Sequence, residues 1–318
     1  MNSLSNFLRS LKLTYTTYNL IHSEKLKHNR SPYKQSGIQK FLFQSISSKD
    51  FKSLPVGDIP WMDRNVSREE IKARIEKTNF DDKTKVALSN WKNSGYMILP
   101  GFFSGEVADE INGEIEKKLG DGSLSFCLGN KIQFANRKSE IIQGIIKQKK
   151  LTDVLEFILG RKVLPFQTIN FLSGSEQLAH SDSIHMTTYP LGYLIAIWVA
   201  LEHIDIDSGP LHYYPGSHKL PYLLNAGYER GGNIMTVGAD ENYLKYEERI
   251  GGIIREQKIE KKIFTAEKGD VLIWHANLIH GGEPIARKGS SRKSMVVHYF
   301  AEDVVKYHEI TERPALIG

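Results

Sequence analysis

The sequence predicts a mainly β protein with flanking helices, of the sandwich or barrel kind to which jelly rolls belong. Beyond about residue 160 the chain consists of short β-branched and aromatic runs separated by Gly, Pro and Asp, which is typical of antiparallel all-β folds. Before residue 160, apolar residues recur with helical spacing instead. No internal repeat or low-complexity tract is present. The β-rich runs are VLPFQTINFL, GYLIAIWVALEHI, GPLHYYPGS, GDVLIWHA and KSMVVHYF.

The first two predicted helices precede the β-rich part and carry clear terminal signals. Residues 67–78 begin with Ser67 as N-cap and have Glu70 at the capping-box position. Residues 82–95 form the second helix, which Gly95 ends because glycine adopts the left-handed conformation that closes many helices.

A short strand and a third helix follow. Residues 96–100, YMILP, read as an apolar strand that ends at Pro100. Ser104 then caps a helix with apolar residues at every fourth position, which places them on one face. These residues are Val107, Ile111, Ile115 and Leu119.

A charged insertion at about 219–262 separates two of the β-rich runs. It contains DENYLKYEERIGGIIREQ, which predicts a helix with Asp240 as N-cap. Two interpretations are open for this segment: a lid over the mouth of a barrel, or a plain surface excursion.

Positive charge is concentrated at the N-terminus. Residues 1–60 hold nine Lys/Arg and three acids, a balance of +6, whereas the other 258 residues hold 33 Lys/Arg and 34 acids, a balance of −1. We therefore divide the chain into a basic extension, 1–60, and one domain, 61–318, that contains the insertion. The scattered charges favour an arm packed on its own domain over one that docks on a membrane surface or a carrier, and no nucleic acid is expected as a partner.

Other bulk properties limit the class of protein. The single cysteine, Cys127, excludes an internal disulfide framework and favours a reducing compartment. No run approaches the roughly 20 apolar residues that a membrane span requires. The expected location is therefore the cytoplasm.

The stretch LAHSDSIHMTTYP, residues 178–190, predicts part of a metal site. If residues 178–186 are extended, His180 and Asp182 share one face and can ligate one ion. A facial site of two histidines and a carboxylate would need one more histidine from a later strand. The candidates are His203, His212, His218, His275, His280 and His298.

GDVLIWHANLIHGG, residues 269–282, carries two of these candidates, His275 and His280. Arg292 comes twelve residues after His280, at the entry to the next β-rich run. A fixed guanidinium beside a metal suits a dicarboxylate cosubstrate, which chelates the ion at one end and pairs with the arginine at the other.

With these residues in place, the chain resembles the phytanoyl-CoA dioxygenase family of iron(II)- and 2-oxoglutarate-dependent oxygenases. The resemblance runs from about residue 84 to 301 and leaves residues 1–60 outside. It implies a double-stranded β-helix, the jelly-roll or cupin-like core, with iron at the open end. The blocks that carry it are NWKNSGYMILPGFFSGEVADEI, HSD, WVALEHIDIDSGPLHYYPGSHK, and GDVLIWHANLIHGG with Arg292.

The resemblance also implies a role for individual residues. Arg292 becomes the partner of the distal carboxylate of 2-oxoglutarate, Trp198 a wall of the cofactor pocket, and Gln167 a contact to the cosubstrate. Some members have a hydroxyl residue two positions after the distal histidine; here that position is Gly282, and Ser290, Ser291 and Ser294 are candidate substitutes. The implied iron ligands, which are also the catalytic residues, are His180, Asp182 and His280.

Asp182 bears on the reaction. In related halogenases the carboxylate is replaced by Ala or Gly, which opens a coordination position for chloride. With Asp182 present, 2-oxoglutarate takes two of the three remaining positions and O2 takes the last. By the family's mechanism, 2-oxoglutarate is decarboxylated to succinate and CO2 and a substrate hydrogen is removed. Hydroxylation of an unactivated C–H of a small metabolite is the default outcome, with desaturation, epimerisation and ring closure as alternatives.

Several further residues have expected positions. His185 is expected either at the substrate cavity or at a solvent-exposed edge, and His275 faces away from His280 and packs. Lys131 is expected to be solvated, and the insertion tyrosines, Tyr228 and Tyr243, to lie at the surface.

Two other functions remain open: a non-catalytic metal-binding jelly-roll protein, and a non-oxidative metalloenzyme of the cupin type. The first usually lacks a ligand or the arginine, and the second does not need a cosubstrate clamp, so Arg292 counts against both.

Overall fold

The computed structural model describes residues 11–55, 57–127, 129–225 and 240–317, with the backbone alone at 240–242. The helices are α1 (Lys12–Ile21), α2 (Arg30–Gln35), α3 (Arg68–Glu76), α4 (Asp82–Ser94), α5 (Gly105–Gly120), α6 (Glu140–Ile146), α7 (Lys149–Leu159) and α8 (Asp240–Glu256). The strands are β1 (Tyr96–Leu99), β2 (Phe126–Cys127), β3 (Lys131–Gln133), β4 (Val163–Phe171), β5 (Thr187–Tyr189), β6 (Leu194–Ala200), β7 (Leu211–Tyr213), β8 (Lys262–Phe264), β9 (Val271–His275), β10 (His280–Gly282), β11 (Ser294–Ala301), β12 (Val305–His308) and β13 (Arg313–Pro314).

The strands form one large and two small antiparallel sheets. The large sheet has the order β1-β9-β6-β11-β4-β3-β2, and the small sheets have the orders β10-β7-β8 and β13-β12-β5. Apolar side chains from the large sheet pack against those of β7 and β8, which encloses an interior between sheets. This arrangement, with helices against the outer face, confirms the predicted jelly-roll class.

Strand β6 explains how the interior is lined. All seven of its residues are buried, so the strand has an apolar neighbour on each face. Because successive side chains point to opposite faces, alternate residues separate into two sets. Ile195, Ile197 and Val199 pack with the helices, whereas Ala196, Trp198 and Ala200 face the interior. The same alternation decides which side chains of β4, β9 and β11 reach the site.

The predicted N-caps of the first and third helices and the end of the second helix at Gly95 are confirmed, whereas the first helix ends at Glu76, two residues before the predicted end at 78. Ser67 accepts a hydrogen bond from the Glu70 amide at 3.1 Å, and Ser104 accepts one from the Val107 amide at 3.3 Å. Gly95 ends α4 with a φ of +74°, and a Cβ at this position would overlap the ring of His218.

The N-terminal residues lie against the C-terminal segment. Tyr33, Ile46 and Phe51 form one apolar cluster with Val305 and Tyr307. The Asn29 side-chain amide makes two hydrogen bonds with the backbone of Lys306: Nδ2 donates to the carbonyl at 3.1 Å, and Oδ1 accepts from the backbone N–H at 3.0 Å. Burial against β12 therefore holds residues 29–51 on the body of the protein.

The predicted helix in the insertion is confirmed as α8. Its apolar residues Tyr246 and Ile250 pack against Ile184 and Ile279, which lie beside the HSD and HGG segments. Tyr228 falls outside the described residues. None of the described helices is long and apolar enough to cross a membrane.

Candidate active site

His180 and His280 face each other across an antiparallel bridge. Each amide donates to the carbonyl of the other at 2.9 Å, and the ring centroids are 4.6 Å apart. The expectation that residues 178–186 are extended is wrong beyond Ser181. Asp182–Ile184 form a turn of 3-10 helix, because the Asp182 carbonyl accepts from the amides of residues 185 and 186.

The turn still brings Asp182 to the two histidines. One ligand atom from each of His180, Asp182 and His280 lies within 4.8 Å of the others, and all three residues are buried. Among the described residues, this is the only group of three His, Cys, Asp or Glu side chains with metal-ligand spacing. The Nε2 of His280 is 3.6 Å from Oδ1 of Asp182. We call these three residues the triad.

Backbone carbonyls orient both histidine rings of the triad. Nδ1 of His180 donates to the Leu178 carbonyl at 2.8 Å, and Nδ1 of His280 donates to the Leu278 carbonyl at 3.0 Å. With the proton held at Nδ1, each Nε2 keeps a lone pair, as metal ligation requires, and that of His180 accepts from Gln177 Nε2 at 3.2 Å.

Asp182 is oriented by an indole that the sequence analysis did not identify. Trp274 Nε1 donates to Oδ2 at 2.7 Å, which leaves Oδ1 facing the histidines. Burial alone would raise the pKa of Asp182, but His280 and His298 outweigh it and hold the pKa well below its ordinary value. Asp182 is therefore a carboxylate at neutral pH.

Two histidines near Asp182, His180 and His185, have lowered pKa values. Burial, followed by the nearby His280, lowers the pKa of His180 well below its usual range. Burial and the charge of Lys131 lower the pKa of His185 to about 4. Neutral imidazole is the form that binds a metal.

Arg292 lies in the same pocket and is almost fully buried, with 2% of its surface exposed. Its guanidinium carbon is 5.2 Å from the Phe171 ring and 5.8 Å from the Trp198 ring. Nη1 donates to Ser294 Oγ at 2.8 Å, so Ser294 is the serine of the three candidates that contacts this arginine. No carboxylate of the described residues pairs with Arg292, although burial of an unpaired charge is costly.

Gln167 and Trp198 also face the pocket from β4 and β6. Within the described part of the chain, Gln167 Oε1 and Trp198 Nε1 are buried and have no hydrogen-bond partner. Buried polar groups are rarely left unpaired, so these two atoms are suited to a bound polar molecule.

His298 lies on β11 two residues after Val296 and four after Ser294, so its side chain is on the same face of the strand and reaches the pocket. Its Nε2 is 3.5 Å from Asp182 Oδ1, yet it is not grouped with the triad. The sequence held a signal for this position: His298 is an even number of residues after Arg292 on a predicted strand, and such residues share one face.

The remaining expectations have mixed outcomes. His185 lines the cavity, 5.5 Å from the His180 ring, and does not lie at an exposed edge. Tyr243 bonds His185 at 3.2 Å, so its expected surface position is wrong. Lys131 is also not solvated: its Nζ donates to Gln177 Oε1 at 3.2 Å inside the pocket. His275 packs on the outer face as expected, 3.2 Å from Asp63.

The pocket has a volume of about 480 Å³ and extends from the triad to the surface. Its deep part contains the triad, Arg292 and Trp198. Its outer part is formed by Arg137 and by the C-terminal segment 308–316. A volume of about 480 Å³ is within the usual range for a small-molecule site.

Comparison with known proteins gives one family. The phytanoyl-CoA dioxygenase (PhyH) family model matches residues 91–294. Peroxisomal phytanoyl-CoA dioxygenase from Bos taurus is 31% identical over 122 residues, which cover 38% of this chain and 32% of the bovine protein. Phytanoyl-CoA dioxygenase domain-containing protein 1 from Danio rerio is 30% identical over 217 residues, 64% of this chain and 68% of that protein. The chain therefore spans about a third of the bovine relative's length.

Solved structures share the fold at low sequence identity. The carbocyclase SnoK from nogalamycin biosynthesis, described as non-heme and alpha ketoglutarate dependent, has a TM-score of 0.55 and 16% identity over 71% of this chain and 86% of SnoK. The epimerase SnoN, in complex with Fe3+, alpha ketoglutarate and nogalamycin RO, has a TM-score of 0.54 and 18% identity over 74% and 87% of the two chains. EctD from S. alaskensis, with 2-oxoglutarate and 5-hydroxyectoine, has a TM-score of 0.50 and 19% identity over 70% and 78%.

Proposed function

This chain belongs to the phytanoyl-CoA dioxygenase family, and from that premise we propose that it is an iron(II)- and 2-oxoglutarate-dependent dioxygenase that hydroxylates an unactivated C–H of a small molecule. The convergence of His180, Asp182 and His280 within 4.8 Å carries the proposal. Iron(II) held by these three residues would, with 2-oxoglutarate and O2, supply the oxidative decarboxylation that gives succinate and CO2 and the oxidant that removes a substrate hydrogen.

The donor set fits iron(II). Two neutral imidazoles and one carboxylate are the ligands of the facial arrangement that non-heme iron oxygenases use. Carbonyls hold both Nδ1 protons, and Trp274 holds one oxygen of Asp182, so the chain itself fixes the three ligand atoms.

The cation near the triad fits 2-oxoglutarate. Arg292 is buried and turned into the pocket, where its planar guanidinium suits a bidentate pair with the distal carboxylate. Trp198 forms the wall beneath it, with the ring 5.8 Å from the guanidinium carbon. The Trp198 indole N–H, which has no partner among the described residues, can donate to a carboxylate, whereas Gln167 Oε1 is an acceptor and 2-oxoglutarate offers no donor, so the contact from Gln167 stays a prediction.

Asp182 supports oxygen transfer over halogenation, because its carboxylate occupies the position that a halide would otherwise take. The neighbouring structures named above include a carbocyclase and an epimerase, so the shared fold admits several outcomes. Hydroxylation is proposed because it needs no second substrate group near the iron.

The test measures binding and turnover separately. Iron(II) added to the protein with 2-oxoglutarate under anaerobic conditions gives a metal-to-ligand absorption band, and O2 then gives succinate. Arg292→Gln is expected to raise the dissociation constant of 2-oxoglutarate by about 10- to 100-fold, the value of a charge-assisted pair, without weakening iron binding.

Arg161→Gln is the matched control, because Arg161 packs on Tyr193 outside the pocket. Normal iron binding without an absorption band or succinate would reject the dioxygenase and favour a non-oxidative or non-catalytic metal protein. Succinate formation with a desaturated or cyclised product would reject hydroxylation alone.

A further inference from the structure

We propose that the substrate carries an oxyanion, a carboxylate or a phosphate, which Arg137 binds at the mouth of the pocket. The apolar body of the substrate then lies along the wall that leads to the triad. This inference rests on the proposed function and names the substrate class of the same site.

Arg137 is held at the mouth by contacts that leave most of its donors available. It ends the 3-10 turn Ala135–Arg137, directly after β3. Its Cζ lies 4.1 Å above the Phe134 ring, and Nη2 donates to the Leu316 carbonyl at 3.2 Å. Within the described chain, Leu316 is its only hydrogen-bond acceptor, although a guanidinium has five N–H groups.

The charges of the pocket favour an anion. Asp182 is the only acidic residue among the described residues that line it, against four cations: Arg313 at the mouth and three others, Lys131, Arg137 and Arg292. None of these three cations forms an ion pair with a described carboxylate. Iron(II) and 2-oxoglutarate would cancel each other's charge, and Asp182 balances only one of the four cations, so the lining keeps an excess of positive charge for the substrate. A partly enclosed cleft of one sign attracts the opposite charge.

Basic side chains continue from the triad to the mouth. His185 stands next to His180, and His308 follows on the C-terminal side of the pocket. Arg313 and Arg137 line the same part of the pocket, and burial, followed by Arg313, lowers the pKa of His308 well below its ordinary value.

The wall between the triad and Arg137 is apolar. Phe134, Phe166, Met186 and Ile310 line it, and the Phe166 ring lies 5.6 Å from the His308 ring. An apolar body with one anionic end fits this distribution, and the anion at the mouth directs the opposite end of the molecule toward the triad.

The test compares matched ligands in the full chain loaded anaerobically with iron(II) and saturating 2-oxoglutarate. The probes are 4-phenylbutyrate, 3-phenylpropyl phosphate and the neutral 4-phenylbutanamide, titrated by calorimetry. One or both anions are expected to bind at least about tenfold more tightly than the amide, and added NaCl should weaken only the anions. The two anions distinguish a carboxylate site from a phosphate site.

Variants of Arg137 test whether this residue causes the tighter binding of the anions. Arg137→Gln should abolish the preference for the anion and leave amide binding unchanged, so the amide also reports correct folding. Arg137→Lys should retain part of the preference. Lys138→Gln is the matched control, because Lys138 is the next residue, exposed, and not among the pocket-lining residues.

Two results would overturn the inference: anions that bind no more tightly than the amide, or an anion preference that survives Arg137→Gln. Absence of the iron–2-oxoglutarate absorption band would instead count against the proposed function. In that event the same titrations on the metal-free chain still decide whether Arg137 selects an anion.

Discussion

Two buried carboxylates, Asp182 in the triad and Glu309 under the N-terminal residues, have opposite surroundings. Glu309 is inaccessible to solvent, and both of its oxygens accept hydrogen bonds: from the amide and hydroxyl of Ser48 and from the Asn225 amide. Asp182 is 5% exposed, and among the described residues the only donor within normal hydrogen-bond distance of its carboxylate is Trp274. The Oδ1 atom faces the His280 and His298 rings at 3.6 and 3.5 Å.

Their pKa values move in opposite directions. Burial raises the pKa of Glu309 and outweighs its hydrogen bonds from Ser48 and Asn225. The pKa of Asp182 falls despite burial, because imidazoles surround it. A carboxylate with complete neutral partners joins parts of a fold, whereas one that shares an open centre with histidine lone pairs is suited to a cation.

The largest expected effect sharpens this contrast at Asp182. Asp182→Ala should lower iron affinity and turnover by more than about 100-fold, the upper range for loss of an outer partner of a ligand. Its free energy of unfolding should fall by only about 1–3 kcal/mol, because one indole N–H loses its acceptor. Succinate assays and urea unfolding measure the two effects. Asp153→Ala is the control, because Asp153 forms an ion pair with the exposed Lys149. Full activity in Asp182→Ala would show that Asp182 is not a ligand of the proposed iron site.

The second prediction reverses the pattern at Glu309. Glu309→Ala removes the Glu309 carboxylate as acceptor for the buried amides of Ser48 and Asn225, which should lower the free energy of unfolding by about 1–3 kcal/mol for each lost bond. Turnover per folded molecule should stay close to wild type. Glu309→Gln keeps a neutral acceptor, so its free energy of unfolding should fall by less than that of Glu309→Ala. If Glu309→Ala lost iron binding but kept normal stability, Glu309 would not have the structural role that distinguishes it from Asp182.

The pH dependence of the same variant has a definite sign. Because the pKa of Glu309 is raised in the folded protein, the folded state binds more protons between the ordinary value of 4.5 and the raised value. The stabilisation from Glu309 is therefore greatest below pH 4.5 and declines as the pH rises through this window. The difference in stability between wild type and Glu309→Ala should shrink accordingly in urea titrations at several pH values.

The smallest expected effect concerns the link from α8 to the triad. The Tyr246 hydroxyl accepts from the amide of Ser181, the residue between two triad members, at 2.9 Å. Tyr246→Phe should cost about 1–3 kcal/mol of stability and raise the iron dissociation constant by less than about tenfold. Tyr243→Phe, the same change one turn earlier, should not alter iron affinity, since Tyr243 bonds His185. Equal effects from both variants would show that α8 acts only through general packing.

The sequence was sufficient for the parts of the fold that depend on local patterns. The caps at Ser67 and Ser104, the end of α4 at Gly95 and the β-rich runs all follow from short-range propensity. The grouping of the triad was also anticipated, although its local geometry was not, because a 3-10 turn replaces the strand at Asp182.

Other parts of the site depend on contacts between distant segments. Trp274 and His298 could have been found from alternation along β9 and β11, since both strands were predicted. Lys131 could not, because its burial follows from the pairing of β3 with β4 and from the position of Gln177. The mouth of the pocket needs the C-terminal segment to return beside Arg137, and no local pattern indicates that.

The pairing of Asn29 with Lys306 has a consequence for biosynthesis. The two residues are separated by 277 positions in the chain, and Ser48 and Glu309 by 261. A nascent chain cannot make these contacts before its last strands leave the ribosome, so the N-terminal residues wait while the sheets assemble. The walls of the mouth include Tyr18 of α1 and Arg313 of β13, so they form only after both of these distant segments have been synthesised.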